Sequence, residues 1–284
     1  MPKPIKKGTK KKIVPYSALR GAVKEVNPLV SKSLKLPDGY QSFNKVWFGV
    51  HTQNRHGVQL DPVKNQLAKA LKKDKDATLY MYTQHQLVLD GVVKQTRSSP
   101  NWEGGMVTYA TCKHNMRTWG EPEDWEGRWI AGLNPADIDN SLLFVGKVHR
   151  VFPNNFELGG FLRRNYPTIA AIKAANHNPR GDIYQPKKDL GAKYGRFDHR
   201  SFLPPKNHTR SVDKYSTSPG SVDNCPKWWR DHEYVTPGGK RPPCFILKPC
   251  FLYPHPSLVM ASLKPGRAVL KLTVDKFLKD LISY

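Results

Sequence analysis

Two cations and a thiol follow one apolar segment and form the first group of residues that could do chemistry. Lys113 and Arg117 are four residues apart, and Cys112 directly precedes the lysine. Such a cation pair can grip one phosphate, because a guanidinium offers two parallel donors to an oxyanion. A neighbouring cation also makes a thiol more reactive. The alternative is a pair of exposed cations beside a buried structural cysteine.

A carboxylate and a phenol form a second candidate group. Asp182 and Tyr184 lie in an irregular, glycine-containing stretch that follows Arg180. A carboxylate on a loop could bind a base edge or act as a general base. It could equally cap a turn. Cys112 and Asp182 are therefore the two candidates for a catalytic role.

Two adjacent tryptophans form a third candidate group. Trp228 and Trp229 lie between Lys227 and Arg230. Aromatic rings interleaved with cations are typical of proteins that stack on unpaired or flipped bases. Tryptophan is also the largest side chain available to a core, so burial is the alternative.

The charge of the whole chain indicates the class of partner. The 284 residues include 46 Lys and Arg against 23 Asp and Glu, which gives a formal net charge of +23. Solubility alone needs a net charge of about 2 to 8 on a small domain. A surplus this large favours a polyanion, with nucleic acid as the commonest one. An anionic membrane surface, or a basic surface without a specific partner, is the alternative.

The first part of the chain carries a dense group of lysines. Residues 1–12 hold six lysines and no acid, so we expect 1–15 to form a disordered basic arm. Lys10, Lys11 and Lys12 could neutralise phosphates without choosing a sequence, although a solubilising tail is an equal alternative. Residues 16–76 are interpreted as an N-terminal extension, with a lysine-rich helix over 61–75 that turns Leu67 and Leu71 to one face.

Several classes of function leave no trace in the sequence. No run of about 18 apolar residues exists, so no transmembrane helix and no membrane partner are predicted. The N-terminal lysines lack the apolar segment of a secretory signal, which favours the cytoplasm, or the host cytoplasm for a viral protein. The four cysteines have no metal-ligand spacing, and no glycine-rich phosphate loop occurs. We therefore predict no metal and no cofactor.

Short strands must position the candidate residues. Segments rich in β-branched and aromatic residues predict strands over 78–83, 106–112, 128–132, 141–151 and 243–253. Pro249 predicts an edge or a bulge in the last of these. Helices are predicted over 166–175 and within 270–282, and the remainder of 153–241 is interpreted as irregular. The pattern predicts an α+β fold, in which a small, strongly bent β-sheet or barrel carries peripheral helices and long irregular loops.

Short motifs between residues 77 and 255 occur in an order that resembles a known family. They are Leu87-Val88-Leu89-Asp90-Gly91, Ser99-Pro100-Asn101, Thr111-Cys112-Lys113 with Arg117, Trp129-Ile130-Ala131-Gly132, Gly181-Asp182-Ile183-Tyr184 and Cys244-Phe245-Ile246-Leu247. In order and spacing they are similar to the nucleotide modification associated domain 2 family. His114 stands where that family has a proline, and Glu123 stands where it has the glycine of a Gly-Asp-Trp segment.

The resemblance implies a fold, a partner and a role. Members of this family are predicted to act in phage and bacterial systems that modify DNA bases or handle modified ones, which favours DNA over RNA. At fold level the family is similar to PUA-like modules, bent barrels that cradle a nucleotide, and we place such a domain at 77–284 with a C-terminal helix. We expect a binding protein; a base-modifying enzyme and a structural protein that coats nucleic acid are the alternatives. The nucleic-acid contacts expected are Lys113, Arg117, Tyr184, Trp228, Trp229, Lys10, Lys11 and Lys12.

Overall fold

The computed structural model describes a large part of the chain between residues 55 and 283. The described residues are 55–60, 64–84, 88–89, 92–93, 100–111, 113–134, 140–176, 178, 181–188, 191–205, 215–216, 225–230, 240–252, 258–263 and 269–283. The predicted basic arm, with Lys10, Lys11 and Lys12, lies outside these ranges, and so does Cys112.

Short strands and short helices alternate along the described ranges. The strands are β1 (Val58–Leu60), β2 (Thr78–Thr83), β3 (Val88–Leu89), β4 (Val92–Val93), β5 (Val107–Tyr109), β6 (Trp129–Leu133), β7 (Leu142–Phe152), β8 (Tyr215–Ser216), β9 (Cys225–Pro226), β10 (Cys244–Leu252), β11 (Leu258–Met260), β12 (Val269–Thr273) and β13 (Leu281–Ser283). The helices are α1 (Lys64–Lys72), α2 (His114–Arg117), α3 (Asn155–Asn165), α4 (Pro167–Ile172), α5 (Gly191–Tyr194), α6 (Lys227–Arg230) and α7 (Val274–Asp280). Short 3₁₀ turns include Glu103–Gly105 and His199–Ser201.

A mixed sheet forms the centre of the molecule. Its strand order is β1-β10-β7-β6-β2-β12, and β5 pairs with the first half of β10. The register of β10 against β7 shifts between Leu247 and Cys250, which confirms the bulge predicted at Pro249. The α+β class is confirmed, while the strands that the structure describes form an open order and no closed barrel.

Both faces of the sheet are buried. Along β2, Leu79 and Met81 point to one face, where they join the buried side chains of α1 and α7. Tyr80 and Tyr82 point to the other face and join the aromatic cluster around Trp125. This alternation follows from the two-residue period of a strand. The predicted N-terminal extension supplies β1 and α1 to this core, and α1 buries Leu67 and Leu71 as predicted.

A helix pair covers one end of the sheet: α4 falls within the helix predicted over 166–175, whereas α3 lies where the sequence predicted irregular chain. The side chain of Asn154 caps α3, because its Oδ1 accepts a hydrogen bond from the backbone N–H of Glu157 at 3.0 Å. Pro167 stands in the first turn of α4, where its missing N–H costs nothing. Leu158 and Leu162 of α3 pack with residues of β7 and β10. Helix α3 contributes Phe156 and Arg163 to the wall of the candidate site.

Candidate nucleic-acid interface

The predicted phosphate clamp does not form at Lys113 and Arg117. Arg117 is fully buried, and its Nη1 donates a hydrogen bond to the carbonyl oxygen of Pro243 at 2.6 Å. The Nζ of Lys113 lies 4.7 Å from the ring centroid of Tyr82. The single turn of α2 directs Arg117 into the core, where it ties α2 to the start of β10. From this buried position the guanidinium does not reach a phosphate in solvent, which corrects the expectation for Arg117.

The rings predicted to stack on bases stack on one another. Tyr184, Trp228 and Trp229 are between 1% and 3% exposed. The rings of Tyr184 and Trp228 lie parallel, with centroids 4.9 Å apart and an angle of 12° between their planes. Trp229 meets Tyr184 edge to face at 6.2 Å. These residues therefore form a core cluster, and the alternative of burial describes them better than base stacking.

Asp182 is also buried and holds other segments in place. Thr108 donates a hydrogen bond from Oγ1 to the Oδ2 of Asp182 at 2.7 Å. Asn155 Nδ2 donates to the backbone carbonyl of Asp182 at 2.6 Å. Burial raises the pKa of Asp182 to about 6, although the positive charge of Lys173 acts in the opposite direction. No part of this side chain reaches solvent, so it does not contact a base edge in this structure.

A buried lysine completes this polar network, and sequence reasoning missed it. Lys173 follows α4, and its Nζ donates to the carbonyl oxygen and to the Oδ1 of Asn101 at 2.8 and 2.7 Å. Burial lowers the pKa of Lys173 to about 8, against the attraction of Asp182 and Glu103. Asn178 donates from Nδ2 to Glu103 and to the carbonyl oxygen of Ile172. We call Asn101, Glu103, Thr108, Lys173, Asn178 and Asp182 the buried polar network.

The buried polar network fixes the path of residues 181–184. A Cβ at Gly181 would lie 2.6 Å from the carbonyl oxygen of Lys173, so only glycine allows this close approach. Ile183 exchanges backbone hydrogen bonds with Lys173 and Ala175 at 3.0 and 2.9 Å. The chain that leaves this anchor, residues 185–188, reaches the surface. The motif that seemed a candidate for chemistry therefore positions the next segment.

That next segment lines a basic groove. The backbone N–H of Lys187 donates to the carbonyl oxygen of Ser201 at 2.7 Å, and the backbone N–H of Leu203 donates to the carbonyl oxygen of Gln185 at 2.8 Å. Two cavities of about 510 and 360 Å³ adjoin this pair of segments, and both are lined by Lys187 and Phe202. The larger is also lined by Phe156, Arg163, Gln185, Pro186, Lys188, Gly195, Arg196 and Ser201. The smaller is also lined by Tyr194, His199, Arg200, Pro204, Pro226 and Trp228. We call the two cavities together the basic groove.

Part of the positive charge of the basic groove has no ion pair among the described residues. Within the described ranges no carboxylate lines either cavity, and Arg163, Lys187 and Lys188 form no ion pair there. Burial, and to a lesser degree the neighbouring Arg164, lowers the pKa of Arg163, so its charge lies in an unfavourable position. Arg196 pairs with Glu157 at 2.9 Å and is held at the rim. A bound anion would stabilise the charge of Arg163.

Aromatic rings alternate with these cations. The guanidinium of Arg200 lies 4.3 Å from the ring centroid of Tyr194 and is fixed by Asp198 at 2.6 Å. Phe156 meets Phe202 edge to face at 6.3 Å. Such a mixture of rings and cations is what the sequence led us to expect at Trp228 and Trp229. The alternation in residues 193–202, Lys-Tyr-Gly-Arg-Phe-Asp-His-Arg-Ser-Phe, was the available signal for it.

Searches for similar proteins and for further sites add three findings. No family model, curated protein or solved structure matches the chain. In the part of the chain that the structure describes, no group of three or more His, Cys, Asp or Glu side chains could hold a metal ion. None of the described helices is long and apolar enough to cross a lipid bilayer. The candidate site therefore rests on the geometry and charge of the basic groove.

Proposed function

We propose that the chain is a nucleic-acid-binding protein that holds its ligand in the basic groove. The observation that carries the proposal is a set of three cations, Arg163, Lys187 and Lys188, around concave space with no lining carboxylate in the described ranges. A phosphate backbone supplies the anions that such a set attracts, and the release of its counterions drives binding. The net charge of +23 favours the same class of partner over the whole chain.

The resemblance to the nucleotide modification associated domain 2 family extends this proposal to its finer parts. It favours DNA as the nucleic acid and a modified base or nucleotide as the ligand. It also favours a PUA-like relationship for the fold, which the bulge in β10 between Leu247 and Cys250 supports, since a bulge bends the strands around it. The lysines of the N-terminal arm would add affinity without sequence preference.

The experiment compares two triple variants with the same change in charge. Arg163→Gln, Lys187→Gln and Lys188→Gln together remove the uncompensated cations of the basic groove. Lys271→Gln, Lys276→Gln and Lys279→Gln remove three exposed cations from β12 and α7, at the far edge of the sheet. Binding of a fluorescent oligonucleotide is measured by anisotropy at several salt concentrations.

The groove variant is expected to weaken binding and to flatten its salt dependence. Each lost phosphate contact lowers the slope of log K against log salt by about 0.7 to 0.9, so three contacts lower it by about 2. The control variant is expected to keep nearly the slope of the unmodified chain. Equal losses in both variants would mean that nucleic acid is bound by diffuse charge, and the groove would not be the site.

A further inference from the structure

The shape of the basic groove bears on which form of nucleic acid it takes. Cavities of about 510 and 360 Å³ fall in the size range of small-molecule sites, about 300 to 1,000 Å³. A duplex keeps its bases stacked inside and presents only phosphates to a concave protein surface. Unpaired nucleotides can place a base in such a cavity, against aromatic or guanidinium planes. The groove therefore fits a single strand better than a duplex.

A buried hydroxyl in the larger cavity points independently to a ligand. Ser201 is 1% exposed and lines this cavity, and its Oγ has no hydrogen-bond partner among the described residues. A buried hydroxyl without a partner costs free energy, so such groups are usually satisfied by a ligand or water. The surrounding Arg163, Lys187 and Lys188 favour an anionic acceptor, such as a phosphate oxygen.

The two cavities are neighbours, since Lys187 and Phe202 line both. Tyr194 and Arg200 form a stacked pair in the smaller cavity, while Phe156 and Phe202 supply apolar wall in the larger one. Consecutive nucleotides of one strand are joined by one phosphate, and Lys187 is the cation common to both cavities.

We infer that the basic groove binds two consecutive unpaired nucleotides of a single strand, with the joining phosphate at Lys187 and a phosphate oxygen at the Ser201 hydroxyl. This inference rests on the proposed function and deepens it. It names an unpaired strand as the substrate class, and it gives Ser201 and Tyr194 roles that a surface of diffuse charge would not require.

The test compares strands of one sequence in three forms: a single DNA strand, a single RNA strand and a blunt DNA duplex. At equal salt, at least one single strand is expected to bind about tenfold tighter than the duplex. Ser201→Ala is expected to lower the affinity for that strand about tenfold, because the hydrogen bond to a charged phosphate oxygen is lost. Tyr194→Ala is expected to lower the same affinity about fivefold or more, because this is the contribution of stacking on one base. Pro205→Ala, outside both cavity linings, serves as the control.

The thermal unfolding of Ser201→Ala separates binding from folding. Because its hydroxyl has no partner in the free chain, the variant is expected to unfold at the same temperature as the parent or higher. Equal affinity for duplex and single strand, or unchanged binding in both Ser201→Ala and Tyr194→Ala, would overturn the inference. The proposed function would survive that outcome if the triple glutamine variant of the groove still lost its salt dependence. Unchanged binding in the triple variant would refute both the inference and the proposed function.

Discussion

Removal of both charges from the buried polar network should cost less stability than the two single removals added together. Lys173 and Asp182 are fully buried, and each acts on the pKa of the other. Lys173→Met leaves Asp182 without the cation that opposes the effect of its burial, and it removes one donor from each of the two oxygens of Asn101. Asp182→Asn leaves Lys173 with less compensating charge. The two charges interact without a direct ion pair, so we expect each single loss to lie at or below the range of about 3 to 5 kcal/mol that breaking a buried pair costs.

The pKa values give the cost of burying each of the two charges. Burial raises the pKa of Asp182 from the ordinary 3.8 to about 6, so the ionised form at neutral pH costs about 3 kcal/mol. Burial lowers the pKa of Lys173 from 10.5 to about 8, so the protonated form also costs about 3 kcal/mol. The attraction between the two charges opposes both costs; each single variant loses this attraction, but the double variant loses it only once. We therefore expect the double variant to be more stable than the sum of the single losses predicts, by about 2 to 3 kcal/mol.

Urea unfolding of the four chains at pH 7 measures this coupling directly. The matched control is the exposed pair Lys279 and Asp275 on α7, 2.7 Å apart, for which Lys279→Met and Asp275→Asn should couple by less than about 0.5 kcal/mol. Additive losses in the Lys173 and Asp182 cycle would refute the reasoning, since they would mean that the two charges do not interact in the core.

The same pair sets the dependence of stability on pH. Because the pKa of Asp182 is raised in the folded chain, its contribution is favourable below about pH 4 and is lost as the pH rises from 3.8 through about 6. Because the pKa of Lys173 is lowered, its contribution is favourable above about pH 10.5 and is lost as the pH falls through about 8. The double variant should lack both slopes in a series of unfolding curves.

Two further predictions concern the basic groove and its anchor. Gly181→Ala should lower the free energy of unfolding in urea by about 1 to 3 kcal/mol, because the new Cβ would lie 2.6 Å from the carbonyl oxygen of Lys173. Gly127→Ala is the control: nothing lies within 4 Å of its Cβ, so it should lose only the free energy that a positive φ costs an alanine. Burial lowers the pKa of His199; Asp198 opposes this effect, and Arg200 and Lys187 add to it. Protonation of His199 adds a positive charge to the basic groove, so the affinity for an oligonucleotide should rise as the pH falls through this lowered pKa. In His199→Gln this rise should vanish from the anisotropy titrations, and a persistent rise would place the responsible proton elsewhere.

The strands of the core could be predicted because local composition decides them. The segment predicted over 78–83 is β2, and those predicted over 128–132 and 141–151 are β6 and β7 with small differences at their ends. Helix α3 was not predicted, because Gly159 and Gly160 interrupt its apolar face and lower its helix propensity. The capping pair Asn154 and Glu157 was the one local signal for its start.

The candidate site could not be predicted from the motifs, because burial depends on partners that are distant in sequence. Arg117 is held by Pro243, and Asp182 is held by Thr108. No local pattern distinguishes these residues from exposed ligands. The same holds for Tyr184 and Trp228, which are buried in one cluster although they lie far apart in the sequence. The charge of the chain led us to expect a polyanion, and we propose the basic groove as its binding site.

Photocrosslinking tests the central claim most directly, because it reports where the nucleic acid lies. A single-stranded oligonucleotide that carries 5-iodouracil is irradiated with the full chain, and the crosslinked residues are identified by mass spectrometry. Crosslinks to Tyr194, Phe156 or other residues of the basic groove are the predicted result, with loss of these crosslinks in the variant that lacks Arg163, Lys187 and Lys188. Crosslinks that fall mainly on α1, β12 or α7 and leave the groove unmarked would contradict the proposal.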